Sequence, residues 1–245
     1  MFIDFLSSYV FDGRSFHTFT KKFKKPYDRV FHNAMNRTMQ YLCKNIQGCK
    51  LGYTQSDEIS LLLVDYDTLE SDAFFDYRVQ KMVSIAASMA TMAFNKFFRE
   101  EVETYIDSFD IIRKATGETE TEEELALQNA YLSAIKTGAM FDARAFNLPK
   151  EEVTNYFIWR QQDATRNAIQ MLGQAHFSHK ELNGKSCNDI QDMLFTQCGI
   201  NFNDMPVEFK RGVCACKNDS FRIDENIPIF TQDREYIERF VWVGD

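Results

Sequence analysis

Two carboxylate signals inside apolar, strand-like runs constrain this chain more than anything else in it. Asp12-Gly13 follows Tyr9-Val10-Phe11. Asp57-Glu58 interrupts Gly52-Tyr53-Thr54-Gln55-Ser56-Asp57-Glu58-Ile59-Ser60-Leu61-Leu62-Leu63-Val64. A carboxylate beside a sheet loses hydration and must be paired, hydrogen-bonded or bound to a cation. Two such acids brought together by a hairpin make a hard, oxygen-rich site suited to Mg²⁺. Two Mg²⁺ ions held in this way are standard machinery for nucleotidyl transfer. In isolation, Asp57 and Glu58 would read as plain turn acids, so the rest of the chain must carry part of the weight.

The chain of 245 residues is long enough for one large domain or two small ones, and its 44% hydrophobic content supplies a core. Only 4 Pro and 10 Gly occur, which argues against a fibrous or disordered chain. No apolar run reaches about 18 residues, so no transmembrane helix and no membrane partner is expected. The N-terminus lacks the features of a signal peptide. The six cysteines have no zinc spacing and read as reduced thiols of a cytoplasmic protein. A net charge of −8 argues weakly against nucleic acid, but charge is local. Lys21-Lys22-Phe23-Lys24-Lys25, followed by Arg29, is a basic run that reads either as a solvated face or as a phosphate or RNA contact.

Hydrophobic periodicity predicts a strand over 8–12, a helix from Pro26 and Asp28 through Ile46, and strands over 50–54 and 58–65. Asp28 is the expected N-cap. A long helix is expected over 73–98, with Phe74, Tyr77, Met82, Ile85, Met89, Ala93 and Phe97 as its inward stripe. Residues 100–137 are charged and read as an insertion, helical or partly loose. A strand over 139–146, a helix over 150–176, a helix near 187–197, a strand over 211–216 and a polar tail complete the reading. The order β-α-β-β-α-β is the ferredoxin-like split arrangement, an α+β fold. It is also the layout of a polymerase palm, an antiparallel sheet backed by helices. The expected organisation is a palm-like catalytic part over 1–137, insertion included, continuous with a remainder over 138–245.

Five ordered blocks then match a known family. Asp12-Gly13-Arg14-Ser15-Phe16-His17-Thr18-Phe19 and Tyr53 through Ser60 resemble the tRNA-histidine guanylyltransferase superfamily. Lys25-Pro26-Tyr27-Asp28, Lys81 through Ser88 and Trp159-Arg160-Gln161-Gln162-Asp163 extend the likeness. The resemblance covers roughly residues 8–98 and 138–216. It implies a palm fold, two Mg²⁺ ions, GTP and ATP as substrates, and addition of nucleotides to the 5′ end of tRNA, at the acceptor stem. It further implies that Asp12, the Gly13 carbonyl and Asp57 hold metal, with Asp12, Asp57 and Glu58 as the catalytic acids. Arg14, Ser15, Phe16 and His17 would wrap the nucleotide beside Ser56, and Lys25, Arg78 and Lys81 would meet the triphosphate. A homo-oligomer, a dimer of dimers, is expected by the same likeness. Two departures stand out. Ala164-Thr165-Arg166-Asn167-Ala168 replaces the eukaryotic His-Ile-Asn-Asn block, which resembles the bacterial and archaeal branch that repairs 5′ ends against a template. Val10 replaces an arginine usual two positions before the first Asp. A palm-fold nucleotidyl cyclase and a catalytically impaired RNA-binding homologue remain the alternative readings. His176 and His179 read as structural or RNA-contacting.

Overall fold

The computed structural model describes residues 6–65, 74–117 and 119–242. The chain runs β1 (Leu6–Gly13), α1 (Phe16–Phe19), α2 (Arg29–Asn45), β2 (Cys49–Gln55), β3 (Glu58–Val64), α3 (Val79–Thr116), α4 (Glu122–Thr137), β4 (Phe141–Leu148) and α5 (Lys150–His176). It continues through α6 (His179–Leu182), α7 (Cys187–Cys198), α8 (Val207–Arg211), β5 (Val213–Lys217), β6 (Phe221–Asp224) and α9 (Glu235–Glu238). Asp28 caps α2, accepting from the Phe31 amide at 2.9 Å. The strands form one antiparallel sheet in the order β4-β1-β3-β2-β5-β6. Its first four strands have the ferredoxin-like order expected from β-α-β-β-α-β.

Alternation along the strands sorts the side chains onto two faces. Tyr9, Phe11, Ile59, Leu61 and Leu63 face α2 and α3 and form the larger core. Leu62, Val64, Leu51 and Tyr53 face the opposite way, against Val153 and Phe157 of α5. Much of the phenylalanine excess is spent in one place. Phe16, Phe19, Phe23, Phe31, Phe94, Phe98 and Phe141 pack ring against ring where β1 ends and β4 begins. Each such ring contributes about 2–3 kcal/mol by burial, and tilted or edge contacts add about 0.5–1.5 kcal/mol per pair. The end of the sheet that carries Asp12 is therefore backed by a cluster of packed rings.

Two expectations need correction. The stripe on α3 is Met82, Ala86, Ala90, Ala93, Phe94, Phe98 and Val102, while Ile85 is 39% and Tyr77 41% exposed. Residues 74–77 do not continue the helix, since Phe75, Asp76 and Tyr77 have φ of 52°, 51° and 56°. That break takes Phe74 and Tyr77 out of the stripe, and within α3 the small Ala86 and Ala90 face the core with Phe94 and Phe98 in place of Ile85 and Phe97. Residues 100–137 take the helical form of the two expected: α3 runs on to Thr116 and α4 folds back on it. Ala130, Tyr131 and Ala134 of α4 enter the main core. The tail is not merely polar, since Ile227, Phe230, Ile237 and Val241 are fully buried against the α5 face. No described helix is long and apolar enough to cross a membrane.

Candidate active site

β1 and β3 pair so that Asp12 lies opposite Glu58, and β1 and β4 pair so that Asp12 lies opposite Asp142. Directly opposed residues share a face. Three acids therefore stand in a row across the sheet, on the face that carries α5. Asp57 joins them from the two-residue turn between β2 and β3. Ser56 makes that turn with a φ of 53°, unusual for a side-chain-bearing residue. Burial raises the Asp57 carboxyl from its ordinary value, with a smaller push from the charge of Asp12, against hydrogen bonds from its own backbone and from Ser56. Asp12 and Asp57 thus lie at the same end of the β1–β3 pair.

Glu58 has a partner of its own. It receives a hydrogen-bonded ion pair from Arg160, and Arg160 also meets Asp163 at 3.8 Å. Burial pushes Glu58 up to about 7, aided by Asp12, Asp163 and Asp57 and opposed by Arg160. Glu58 is therefore paired with Arg160, an arrangement that suits support of the site. Arg160 is 8% exposed and lies on the same side of α5 as Phe157 and Ala164. A cation three residues along a buried stripe was the signal that could have marked it in the sequence.

The turn after β1 is shaped for close approach. A Cβ on Gly13 would stand 2.2 Å from the Phe16 ring, so no side chain fits there. Ser15 is left-handed, with φ 59°. The Arg14 amide donates to Met140 O at 2.9 Å. Among the described residues, the amides of Ser15, Phe16 and His17 meet no acceptor. The Phe16 ring is 3% exposed and belongs to the core, so this residue can offer a ligand only its backbone. The His17 side chain is exposed. Lys25 and Ser56 meet at a small cavity lined also by Pro26, His32, Met171 and Phe209. Arg14 and Ser15 open instead onto a larger groove.

Arg78 and Lys81 do not join this cluster within one chain. β3 starts at Glu58 beside Asp12 and ends at Val64 beside Leu6, and α3 starts at that far end. Phe94 of α3 meets Phe16 and Phe141 at the Asp12 end. The thirteen residues from Lys81 to Phe94 span about 20 Å of helix. Arg78 pairs with Asp76 at 3.7 Å, and Lys81 stacks on Phe75 at 4.4 Å. The triphosphate expected to join Lys25, Arg78 and Lys81 cannot do so in a single copy.

Among the described residues, no three His, Cys, Asp or Glu converge to hold a metal unaided. Two carboxylates alone would leave most of the sphere to carbonyl, water or phosphate oxygens. That donor set fits Mg²⁺, which is commonly held by one or two carboxylates plus substrate phosphates. Asp12 at the end of β1 and Asp57 in the adjoining β2–β3 turn are hard oxygen donors of that kind.

The sequence matches the family described as tRNAHis guanylyltransferase over residues 9–149. It matches the C-terminal domain of that family over residues 151–235. The chain belongs to the tRNAHis guanylyltransferase family. A bacterial tRNA(His) guanylyltransferase-like protein in complex with ATP is 40% identical with a TM-score of 0.81, covering 99% of this chain and 93% of that one. A GTP complex of such a bacterial protein is 36% identical with a TM-score of 0.74, covering 99% and 92%. The tRNA(His) guanylyltransferase of Saccharomyces cerevisiae is 27% identical over 219 residues, 82% of this chain and 78% of that protein. With this family, the chain is a nucleotidyltransferase.

Both family departures have a place in this guanylyltransferase-family structure. Val10 lies opposite Arg144 on β4, so an arginine stands on the same face one strand away. Arg144 is 70% exposed and pairs with Asp142 at 3.8 Å. The 164–168 segment is on α5, where Thr165 donates to Lys210 O at 2.9 Å and Arg166 meets Asp163 at 3.7 Å.

Proposed function

We propose that this chain is a Mg²⁺-dependent nucleotidyltransferase that adds nucleotides to the 5′ end of tRNA, in the 3′–5′ direction and directed by a template strand. The observation that carries the reading is the placement of Asp12 at the end of β1, opposite Glu58 and Asp142 and beside the β2–β3 turn that holds Asp57, next to the amides of residues 15–17. Asp12, Asp57 and the Gly13 carbonyl are the groups that would hold Mg²⁺, which supplies charge neutralisation on the reacting phosphoryl group. The chain's own contribution is positioning. Arg160 holds Glu58, so that the acid row keeps its register. Free amides at residues 15–17 suit phosphate oxygens. Lys25 and Ser56 flank the cavity suited to the base or ribose, with GTP and ATP as the expected nucleotides.

The 5′ end of the acceptor stem would approach over Lys21, Lys22 and Lys24, which are exposed because Phe23 between them is plugged into the core. Arg78 and Lys81 lie too far away to serve the same triphosphate. A second copy of the chain would have to bring them in, which supports an assembly of at least two copies, a dimer of dimers by family likeness.

The test is incubation of a labelled, 5′-truncated tRNA with Mg²⁺ and all four NTPs, with the templating base varied. The expected product carries the complement of each template base. Addition of G whatever the opposing base would replace the template-directed reading with single-G addition to tRNA-histidine. No addition at all would refute the nucleotidyl-transfer reading on tRNA.

A further inference from the structure

We propose that the groove between residues 14–29 and the α3–α4 hairpin takes the unpaired 3′ extension of the template strand. This rests on the template-directed reading above. Templated addition at a 5′ end requires the opposite strand to run on beyond that end unpaired, and that strand must lie somewhere on the protein.

The groove encloses about 1560 Å³. Sites for single small molecules are roughly 300–1,000 Å³, so one nucleotide does not fill it. It starts at Arg14 and Ser15, directly after the Asp12-Gly13 turn, and reaches Phe109 and Thr121 at the distal end of the helical hairpin. From Phe94 to Phe109, α3 rises about 22 Å, room for several nucleotides.

Charge points the same way. Arg14, Lys21, Lys22, Lys24 and Lys25 line one wall, and among the described residues none of them has a carboxylate partner. Five uncompensated cations on a chain of net charge −8 mark a place for a polyanion. The acids of the facing wall are largely occupied. Glu101 pairs with Arg37 at 2.9 Å, and Glu124 caps Thr121 and meets Arg113 at 3.7 Å. Tyr105 and Phe109 of the facing wall are half-buried, with ring centroids 4.7 Å apart. A basic track opposite aromatic rings is how single strands are held without sequence preference, by phosphate attraction and base stacking.

The test uses two RNA duplexes with the same recessed 5′ end. One carries only the templating nucleotide on the opposite strand; the other carries several more unpaired nucleotides beyond it. Both are titrated against the full chain at one fixed ionic strength, then extended at saturating RNA. The longer tail is expected to bind about tenfold tighter, the effect of stacking a base or two, with an unchanged rate at saturation. Thr104→Glu with Ser108→Glu, exposed positions on the α3 wall, is expected to abolish the advantage of the long tail. The same double substitution is expected to leave the short-tail affinity as it was, which also reports an intact fold. Equal affinity of the wild-type chain for both duplexes overturns the proposal. So does a double variant that weakens both equally. A tail-dependent affinity with no extension of either duplex would keep the groove and refute the transferase reading instead.

Discussion

His32 illustrates how a single residue carries a measurable signature. Its ring accepts from the Asn36 amide at 3.0 Å and is buried, and burial with the nearby Arg29 charge pulls it down to about 4. Glu225 stands 3.5 Å away and would favour the charged form. It is 40% exposed at its side chain, so burial of the ring and the accepted hydrogen bond decide the direction. A depressed folded-state pKa means that the unfolded chain binds the extra proton between pH 6.5 and about 4. Stability is therefore lost as pH falls through that window, by at most about 3 kcal/mol. His32→Asn should flatten this part of a stability-versus-pH curve measured by urea unfolding. At the reaction centre, Asp57→Ala should lower nucleotide addition by about 10³-fold or more while the thermal midpoint stays within a few degrees. Near wild-type turnover would dismiss Asp57 as a metal ligand. Arg144→Ala should raise KM for the nucleotide several-fold with little change in kcat, and Val10→Arg in that background should recover it. Recovery failing with KM unchanged from the start would show that Arg144 serves no nucleotide.

At the scale of elements, the α3–α4 hairpin matters most, because its role was hidden behind its charge. Asp28 receives the Tyr131 hydroxyl at 2.6 Å, the Lys24 amide at 3.0 Å and the Phe31 amide at 2.9 Å. One carboxylate thus ties α4 to the end of the basic run and to the start of α2. Tyr131→Phe removes a charge-assisted donor while keeping the ring, and should cost about 1–3 kcal/mol. The denaturant midpoint should drop with an unchanged m value. A midpoint equal to that of the wild type would mean that water replaces the hydroxyl without loss. A charged sequence with a weak stripe gave no reason to expect this bond, whose partners lie 103 residues apart.

For the whole molecule, the net charge of −8 and the local cation track make opposite demands. Association with tRNA should be steep in salt, because each neutralised phosphate releases counterions. Reversing Lys21, Lys22 and Lys24 to glutamate should weaken tRNA binding by orders of magnitude while changing nucleotide affinity far less. A flat salt dependence, or unchanged tRNA affinity in that variant, would remove the track from the binding surface. Light scattering should report more than one chain per particle, since Arg78 and Lys81 cannot reach Asp12 within one.

The local pattern alone determined much of this protein. Strand alternation, the Asp28 cap, the tight turn through Gln55-Ser56-Asp57 and the 150–176 helix are short-range properties, and they emerged with nearly the observed limits. The motif residues Asp12, Gly13 and Asp57 were legible because a carboxylate between apolar strands is costly enough to need a reason. The tertiary structure decided what no short window contains. Register set Asp142 and Glu58 on either side of Asp12. The break at residues 75–77 took Phe74 and Tyr77 out of the α3 stripe. The antiparallel return of β3 carried Arg78 and Lys81 to the far end of the sheet. Arg160 acquired its meaning only when α5 crossed the sheet and brought it to Glu58, because an ion pair between residues 102 apart is a property of packing and not of sequence spacing.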